Sequence, residues 1–309
     1  MKDVEGRPVH GVVLPFIIFT LIWGSTWIVI RDQLGAVPPQ WSVAYRFAIA
    51  AGAMFAIALV KRSPLRVERR DWWLPALVGL FQFCVNFNSV YVAEHFITSG
   101  LVATVFALLL VPNSLFAWLL LGQRPGGRFL ACSGIAIAGI SLLFWQELER
   151  DQANSWHVLL GIGWTLCGVL GASISNVVQA TERARHIPIL TLLAWSMLAG
   201  AIADATVAVI VAGPPVLDLR PAYWGGLVYL ALLASAVCFT LYFPVVRKIG
   251  PGKAAYSSAL VPIVAMALST AFEGYRWTAL SAGGAILAIG GMLLALMSRR
   301  PATPAPPSD

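Results

Sequence analysis

The sequence predicts an all-α polytopic membrane protein with ten transmembrane helices, arranged as two inverted five-helix repeats around a central cavity. Its composition, a series of ten apolar runs and an internal repeat lead to this prediction. Of 309 residues, 59% are hydrophobic and only 11% are charged, and the mean hydropathy is +0.78. A soluble domain carries about 25% charged residues. The chain therefore has too little charge to cover a water-exposed surface, and lipid is its expected solvent.

Ten apolar runs divide the chain between charged clusters and Pro/Gly turns. A membrane-spanning helix needs about 20 such residues. The segment GQRPGGR separates the fourth run from the fifth, and the two together are too long for one helix. The predicted spans are 11–30, 40–60, 72–93, 97–121, 128–145, 157–180, 188–211, 222–245, 253–272 and 277–298.

The basic residues predict the orientation of these spans. Sixteen of them lie in segments on the same side as the N-terminus, whereas only Arg31, Arg150, Arg220 and Arg276 lie in loops on the other side. Because positive charge is enriched in cytoplasmic loops, both termini are predicted to be cytoplasmic, in a multi-pass protein of the cell inner membrane. The net charge of +7 sits in short breaks between spans, so it indicates no nucleic-acid surface.

An internal repeat relates the two halves of the chain. LVPNSLFAWLLLGQ (110–123) and LVPIVAMALSTAFE (260–273) both start LVP and place a polar residue eleven positions after the proline, Gln123 and Glu273. A weaker correspondence relates the turn at Pro39 to the turn at Pro188. Since each half has five spans, the second enters the membrane from the opposite face, as in secondary transporters. The predicted units are 11–145 and 157–298, followed by a disordered cytoplasmic tail at 299–309.

These landmarks resemble a known family. IWGSTWIVIR, the following double proline and the arginine of AYRFAIAA are similar to the first two helices of the EamA-type half of the drug/metabolite transporter superfamily. The LVP helices and the glycine-rich spans after them resemble its fourth, fifth, ninth and tenth helices. The resemblance implies an exporter of amino acids, including the aromatic type, or of related metabolites, with helices one to four and six to nine around the cavity. Gln123 replaces the usual glutamate, and Ala172 stands where the second repeat often has tryptophan.

Polar side chains inside the spans are the candidates for substrate contact, because a lone polar group is costly in hydrocarbon. Gln82, Asn86 and Ser89 share one face of the third span, Phe83 borders that face, and Asn88 points away. Gln82, Asn86 and Ser89 either form a hydrogen-bonding wall for the substrate or bond to neighbouring helices. The predicted cavity residues are Trp23, Ser25, Arg46, Gln82, Phe83, Asn86, Trp164, Asn176, Tyr242 and Ser258.

A tryptophan in such a protein either lines the cavity or anchors a helix at the membrane interface. Trp23 lies well inside its span, which favours the cavity, although an interfacial anchor is the alternative. Trp164 is placed on a face of the sixth span with Gly168, Gly171 and Ser175. Seven tryptophans lie nearer span ends, and most of these seven are predicted to be interfacial anchors: Trp27, Trp41, Trp72, Trp73, Trp156, Trp224 and Trp277.

Two ionisable groups fall inside spans. Arg46 matches the family's second-helix arginine, and it faces either an anionic substrate group or an acidic loop residue. Asp204 in the seventh span is either a proton-coupling carboxylate or a structural partner.

Backbone features complete the prediction. Pro112 and Pro262 each free a carbonyl one turn earlier, so we expect helix breaks there. The small-residue pairs Gly134/Ala138 and Gly284/Ala288 predict close helix packing.

Other function classes find little support. The four histidines lie at span ends or in loops and form no metal-ligand spacing, and the four cysteines show no CxxC spacing. No enzyme, cofactor, metal site or channel filter is therefore expected. One cation in a neutral lining favours small zwitterions over polyanions. The predicted function is amino-acid export, with a broader drug/metabolite effluxer as the alternative, by a monomer or weak homo-oligomer in the bilayer.

Overall fold

The computed structural model describes residues 10–35, 37–122, 124–150, 155–249 and 256–297. Within these ranges the helices are joined by loops, and a helix lies in each of the ten predicted apolar runs. Gln123 and the tail at 299–309 lie outside them, as do the side chains of 256–260. The uninterrupted helices are α1 (His10–Gln33), α2 (Pro39–Val60), α5 (Gly127–Arg150), α6 (Ser155–Ala180), α7 (Ile189–Ala212), α9 (Tyr256–Phe272) and α10 (Ala279–Met297). A short helix, Glu182–His186, precedes α7.

The other three helices, α3, α4 and α8, each contain a turn of different geometry. α3 comprises Trp73–Val78, a π-helical turn over Gly79–Val85, and Asn86–Ala93. α8 comprises Pro221–Val228, a π-helical turn over Tyr229–Val237, and Cys238–Ile249. α4 comprises Ser99–Phe106, a 3₁₀ turn over Ala107–Leu109, and Leu110–Leu121. The π turns begin at equivalent places in the two halves, and such turns occur frequently at functional sites.

Seven of the described helical segments are long and apolar enough to cross a membrane, judged by length and composition. They are Pro39–Val60, Arg69–Ala93, Ser99–Leu121, Gly127–Trp145, Ser155–Ala180, Ile189–Ala212 and Pro221–Arg247. Two shorter apolar helices follow at Val261–Phe272 and Ala279–Ala295.

Helices α2 and α7 pack side by side and run antiparallel. At one end, Trp41 Nε1 at the start of α2 donates to the carbonyl of Gly213 after the end of α7, at 3.2 Å. At the other end, Trp195 near the start of α7 donates to the carbonyl of Leu65 beyond α2, at 2.9 Å. Both helices begin after a proline with φ −55° and ψ 137°. The two helices are therefore equivalent in the two halves and opposite in direction.

Helices α5 and α10 pack through glycine, but not entirely through the predicted pairs. A Cβ atom on Gly139 would lie 2.7 Å from the carbonyl oxygen of Gly284, so the backbones approach closely there. Ala288 is buried at the same contact. The predicted pair Gly134/Ala138 is exposed, and that prediction was wrong. The helix turns 100° per residue, and the face that carries Gly139 is the one that α10 covers.

Helix α9 is held between α1 and α4 by two further glycines. A Cβ atom on Gly24 would lie 2.6 Å from Val264 Cβ, and one on Gly100 would lie 2.6 Å from Met266 Sδ. Pro262 lies inside α9, and the expected break does not occur there. The proline removes one helical hydrogen bond, but α1 and α4 pack on both sides of α9 and hold it as one helix. Pro112 follows the 3₁₀ turn of α4, where the predicted break occurs.

We predict that Gly139→Ala destabilises the protein and that Gly134→Ala does not. Alanine has the higher helix propensity by about 0.8–1.0 kcal/mol, so both changes favour the helix itself. At Gly139 the added methyl group meets α10, and overpacking of this kind costs about 1–3 kcal/mol. The thermal midpoint of the detergent-purified protein measures the difference. Equal midpoints for the two variants would contradict the α5–α10 contact.

Candidate functional site

A cavity of about 100 Å³ lies between helices from both halves of the chain. The described residues around it come from α1, α2, α3 and α4 in the first half and from α6, α8 and α9 in the second. None comes from α7, although the resemblance implied a ring that includes the seventh helix. The aromatic, amide and charged side chains of this lining include Trp23, Trp27, Arg46, Gln82, Asn86, Phe87, Phe106, Asn176, Phe239 and Tyr242.

Aromatic side chains form one wall of the cavity. The ring of Trp23 contacts Phe239 and Tyr242 with centroid distances of 5.4 and 5.0 Å. Trp23 Nε1 donates to the carbonyl of Ala234, at 3.0 Å, inside the π turn of α8. The indole is therefore fixed against α8 while its face borders the cavity, which places Trp23 as the sequence predicted and not at a membrane interface.

Amide side chains form a second wall. Gln82 and Asn86 lie on α3 at the π turn, and Asn86 Nδ2 donates to the carbonyl of Gln82 at 3.3 Å. Asn176 lies opposite on α6. Gly168 allows α6 to approach, because a Cβ atom there would lie 3.3 Å from Asn86 Oδ1. The amides thus stand where α3 and α6, one helix from each half, meet at the cavity.

Arg46 is the cation of the described lining. Its side chain is 1% exposed, its Nε donates to Ser235 Oγ at 3.0 Å, and its guanidinium carbon lies 4.3 Å from the Phe87 ring centroid. Among the described residues no carboxylate forms an ion pair with it. The ring supplies a cation–π contact. Glu94, the acidic residue just after α3, lies close enough to act on the guanidinium electrostatically.

Three predicted residues do not reach the cavity. Ser25 hydrogen-bonds the Tyr229 hydroxyl at 2.6 Å and so ties α1 to α8. Phe83 is enclosed by Phe47 and Phe239, at centroid distances of 4.9 and 5.2 Å, behind the cavity wall. Trp164 is 41% exposed, because the buried face of α6 is centred on Thr165, Ala172 and Asn176. The side chain of Ser258 lies outside the described part of the chain.

Other lining residues were missed or misassigned. Trp27 belongs to the group of tryptophans of which most are predicted to be interfacial, but it lines the cavity, is 8% exposed and packs on Phe106 with a ring-centroid distance of 5.6 Å. Phe87 and Phe239 were not singled out, because an apolar residue in an apolar span carries no signal in the sequence. The spacing of Trp27 from Trp23, one helical turn, was the one available signal for a shared face.

Asp204 lies away from the cavity, between α3 and α7. Its Oδ1 accepts a hydrogen bond from Asn88 Nδ2 at 2.6 Å, and its side chain is fully buried. Asn88 thereby points away from Gln82 and Asn86, in the direction expected from the sequence. The geometry favours the structural alternative for Asp204 over the proton-coupling one.

A buried hydrogen-bond chain lies near the α1–α2 turn, on the side of the cavity toward Ile30 and Val90. The Tyr91 hydroxyl donates to Gln33 Oε1 at 3.0 Å, and Gln33 Nε2 donates to the carbonyl of Tyr223 at 3.4 Å. The Tyr223 hydroxyl also hydrogen-bonds Ser42 at 2.9 Å. These bonds join α1, α2, α3 and α8 in one layer.

Two carboxyl groups stand at the same end. Glu273 accepts hydrogen bonds from the Ser99 and Ser269 hydroxyls, at 2.8 and 2.5 Å, and lies 3.9 Å from Arg31 Nε. Glu94, just beyond α3, is fully buried, and neither oxygen has a partner among the described residues. Burial, with Glu273 nearby, raises the pKa of Glu94 well above its ordinary value.

At the opposite end, backbone carbonyls accept hydrogen bonds from an arginine side chain. Arg247 donates to the carbonyls of Ile187 and Ala184 at 3.0 and 2.9 Å. Arg183 pairs with Asp71 at 3.2 Å. Within the described ranges no three His, Cys, Asp or Glu side chains form a group that could hold a metal ion.

Comparison with known proteins identifies the relatives of this chain. Residues 11–145 and 159–297 each match the EamA-like transporter family. PagO of Salmonella typhimurium is 25% identical over 285 residues, 92% of each chain. The uncharacterized inner membrane transporter YedA of Escherichia coli is 29% identical, over 89% of this chain and 86% of its own. A "probable amino-acid metabolite efflux pump" of Escherichia coli is 25% identical, over 92% and 94%.

One crystal structure superimposes on the chain with a TM-score of 0.69 at 20% sequence identity. The superposition covers 95% of this chain and 100% of the other. At that identity the likeness supports the fold alone.

We predict that the Asn88–Asp204 bond stabilises the fold and takes no part in energy coupling. Removing one partner of a buried hydrogen bond leaves the other unsatisfied, which costs about 1–3 kcal/mol. Asn88→Ala and Asp204→Ala should each lower the thermal midpoint, and the double variant should fall by less than the sum of the two. Proton-gradient dependence of transport, measured per folded protein, should stay unchanged. Additive midpoints, or a stable Asp204→Asn variant that alone loses gradient-driven accumulation, would contradict the structural role.

Proposed function

The chain belongs to the EamA-like transporter family, and we propose that it exports small metabolites, amino acids first among them, across the cell inner membrane by alternating access. Membership makes it a membrane transporter and not an enzyme. The proposal assigns ten membrane-spanning helices to two inverted five-helix units, 11–145 and 157–298, with both termini cytoplasmic.

The observation that carries the proposal is the cavity between the two matched halves. Polar side chains face it from α2, α3 and α6, at a depth where hydrocarbon would otherwise surround them. The antiparallel α2–α7 pair supports the inversion, because equivalent helices of inverted repeats run in opposite directions. A site enclosed by both halves is what alternating access requires, since a rocking of one half against the other opens it to either side.

Each end of the cavity has contacts that such a movement would break. On the proposed outer side, the bonds among Gln33, Tyr91 and Tyr223 join helices of both halves. On the proposed cytoplasmic side, Trp195 and Thr191 of α7 hydrogen-bond the segment after α2. The outward-open state would separate the first set of contacts, and the inward-open state the second.

The lining favours a small, neutral or zwitterionic substrate. Three amides, one guanidinium and an aromatic wall suit a polar group on an apolar body. The name of the Escherichia coli efflux pump suggests amino acids for that relative. A broader drug/metabolite effluxer is the second candidate, because the aromatic wall carries few directional groups.

We predict that Gln82→Ala and Asn86→Ala each reduce amino-acid efflux from proteoliposomes, per folded protein, by about tenfold, since a lost hydrogen bond of about 1.4 kcal/mol corresponds to that factor. Asn88→Ala is the matched control: it removes an amide on the same helix whose side chain faces α7. Transport per folded protein should persist in the control. The first step is a screen of all amino acids with the wild type.

Equal losses at Gln82, Asn86 and Asn88 would mean that the amides serve packing and not substrate. A wild type that exports drugs but no amino acid would favour the second candidate.

A further inference from the structure

Four side chains that line the cavity each carry a buried polar atom with no hydrogen-bond partner within the described chain. Two are donors, Arg46 Nη1 and Trp27 Nε1, and two are acceptors, Asn86 Oδ1 and Asn176 Oδ1. All four side chains line the same cavity, with exposures of 1, 8, 2 and 2%. Buried polar groups are nearly always paired in native proteins. A set left unpaired around a cavity therefore indicates a ligand with the opposite arrangement of donors and acceptors.

Arg46 determines the charge of that ligand. The guanidinium is fully buried in a segment surrounded by apolar helices, and an isolated charge is costly at such a place. Its contacts to Ser235 and Phe87 are to neutral groups, and Glu94, although close enough to act on it electrostatically, forms no ion pair with it within the described chain. A carboxylate would supply both the missing counter-ion and an acceptor for Nη1, and charge-assisted bonds of this kind are the strong ones. Phosphates and dicarboxylates would bring more negative charge than one cation neutralises.

The two amide oxygens indicate which group the ligand carries at its other end. Asn86 Oδ1 and Asn176 Oδ1 can each accept from an ammonium group, which has three N–H donors and no acceptor. They carry no formal charge, so they suit an ammonium whose counter-charge is on the same molecule.

We propose that these four side chains form a subsite for the zwitterionic backbone of an α-amino acid. The carboxylate accepts from Arg46 and Trp27, and the ammonium donates to Asn86 and Asn176. The side chain of the amino acid then lies against the aromatic wall of Trp23, Phe239 and Tyr242. This inference rests on the proposed function and adds to it that the transporter recognises the backbone shared by all amino acids and selects among side chains by apolar contact.

Competition binding to the detergent-purified wild type tests the subsite without altering the protein. The probe is the radiolabelled L-amino acid that binds best among the twenty. Its unlabelled form should compete fully, whereas its methyl ester, which lacks the carboxylate, and its N-acetyl derivative, which lacks the ammonium, should each compete at least tenfold more weakly.

Variants of Trp27 and Arg46 test whether these two side chains donate to the carboxylate of the substrate. Trp27→Phe removes the indole N–H and retains an aromatic ring against Phe106. Binding of the free amino acid should weaken several-fold, and by more than binding of the methyl ester, whose uncharged carbonyl is a weaker acceptor. Arg46→Lys, which keeps the charge, should bind the amino acid more tightly than Arg46→Gln. Trp164→Phe changes an exposed tryptophan on α6 and controls for the loss of an indole.

Equal competition by the amino acid and its methyl ester would overturn the subsite and leave amino-acid export standing. A wild type that binds none of the twenty would overturn both the subsite and amino-acid export. If the Arg46 variants fail to fold, the ester and acetyl comparisons on the wild type still decide.

Discussion

The antiparallel packing of α2 against α7 is the interaction on which the rest of the architecture depends. Each helix starts after a proline with the same backbone angles, and each start lies beside the other's end. This pairing relates the two family-matched halves by inversion. In the same bundle α3 packs against α6, and α3 and α8 each contain a π turn. The cavity lies where those elements meet.

The cavity follows from the cost of polar groups in hydrocarbon. Several polar side chains away from it bond between helices: Asn88 with Asp204, Ser173 with Asn113, and Ser42 with Tyr223. Four side chains of the lining each keep a polar atom without a partner in the described chain. Asn88 and Asp204 also keep such an atom, so it is the shared cavity that marks these four as candidates for substrate contact.

The sequence predicted where the helices lie, because runs of about 20 apolar residues and their breaks follow from the thickness of the bilayer. It also predicted Gln82 and Asn86 at the cavity, since they share a helix face. It could not separate Trp27 from the interfacial tryptophans or Trp164 from the cavity ones. Burial of an aromatic residue depends on which neighbouring helix covers it, and that is set by long-range packing rather than by local spacing.

Inversion of the two halves can be measured directly at equivalent loops. Arg66 follows α2 and Val216 follows α7, 150 residues apart, and both are exposed. Single cysteines at these positions, in a variant without the four native cysteines, are treated with a membrane-impermeant maleimide in intact cells. The account predicts labelling of Val216→Cys from outside and of Arg66→Cys only after the membrane is permeabilised. Labelling of both positions from the same side would contradict the inverted repeat.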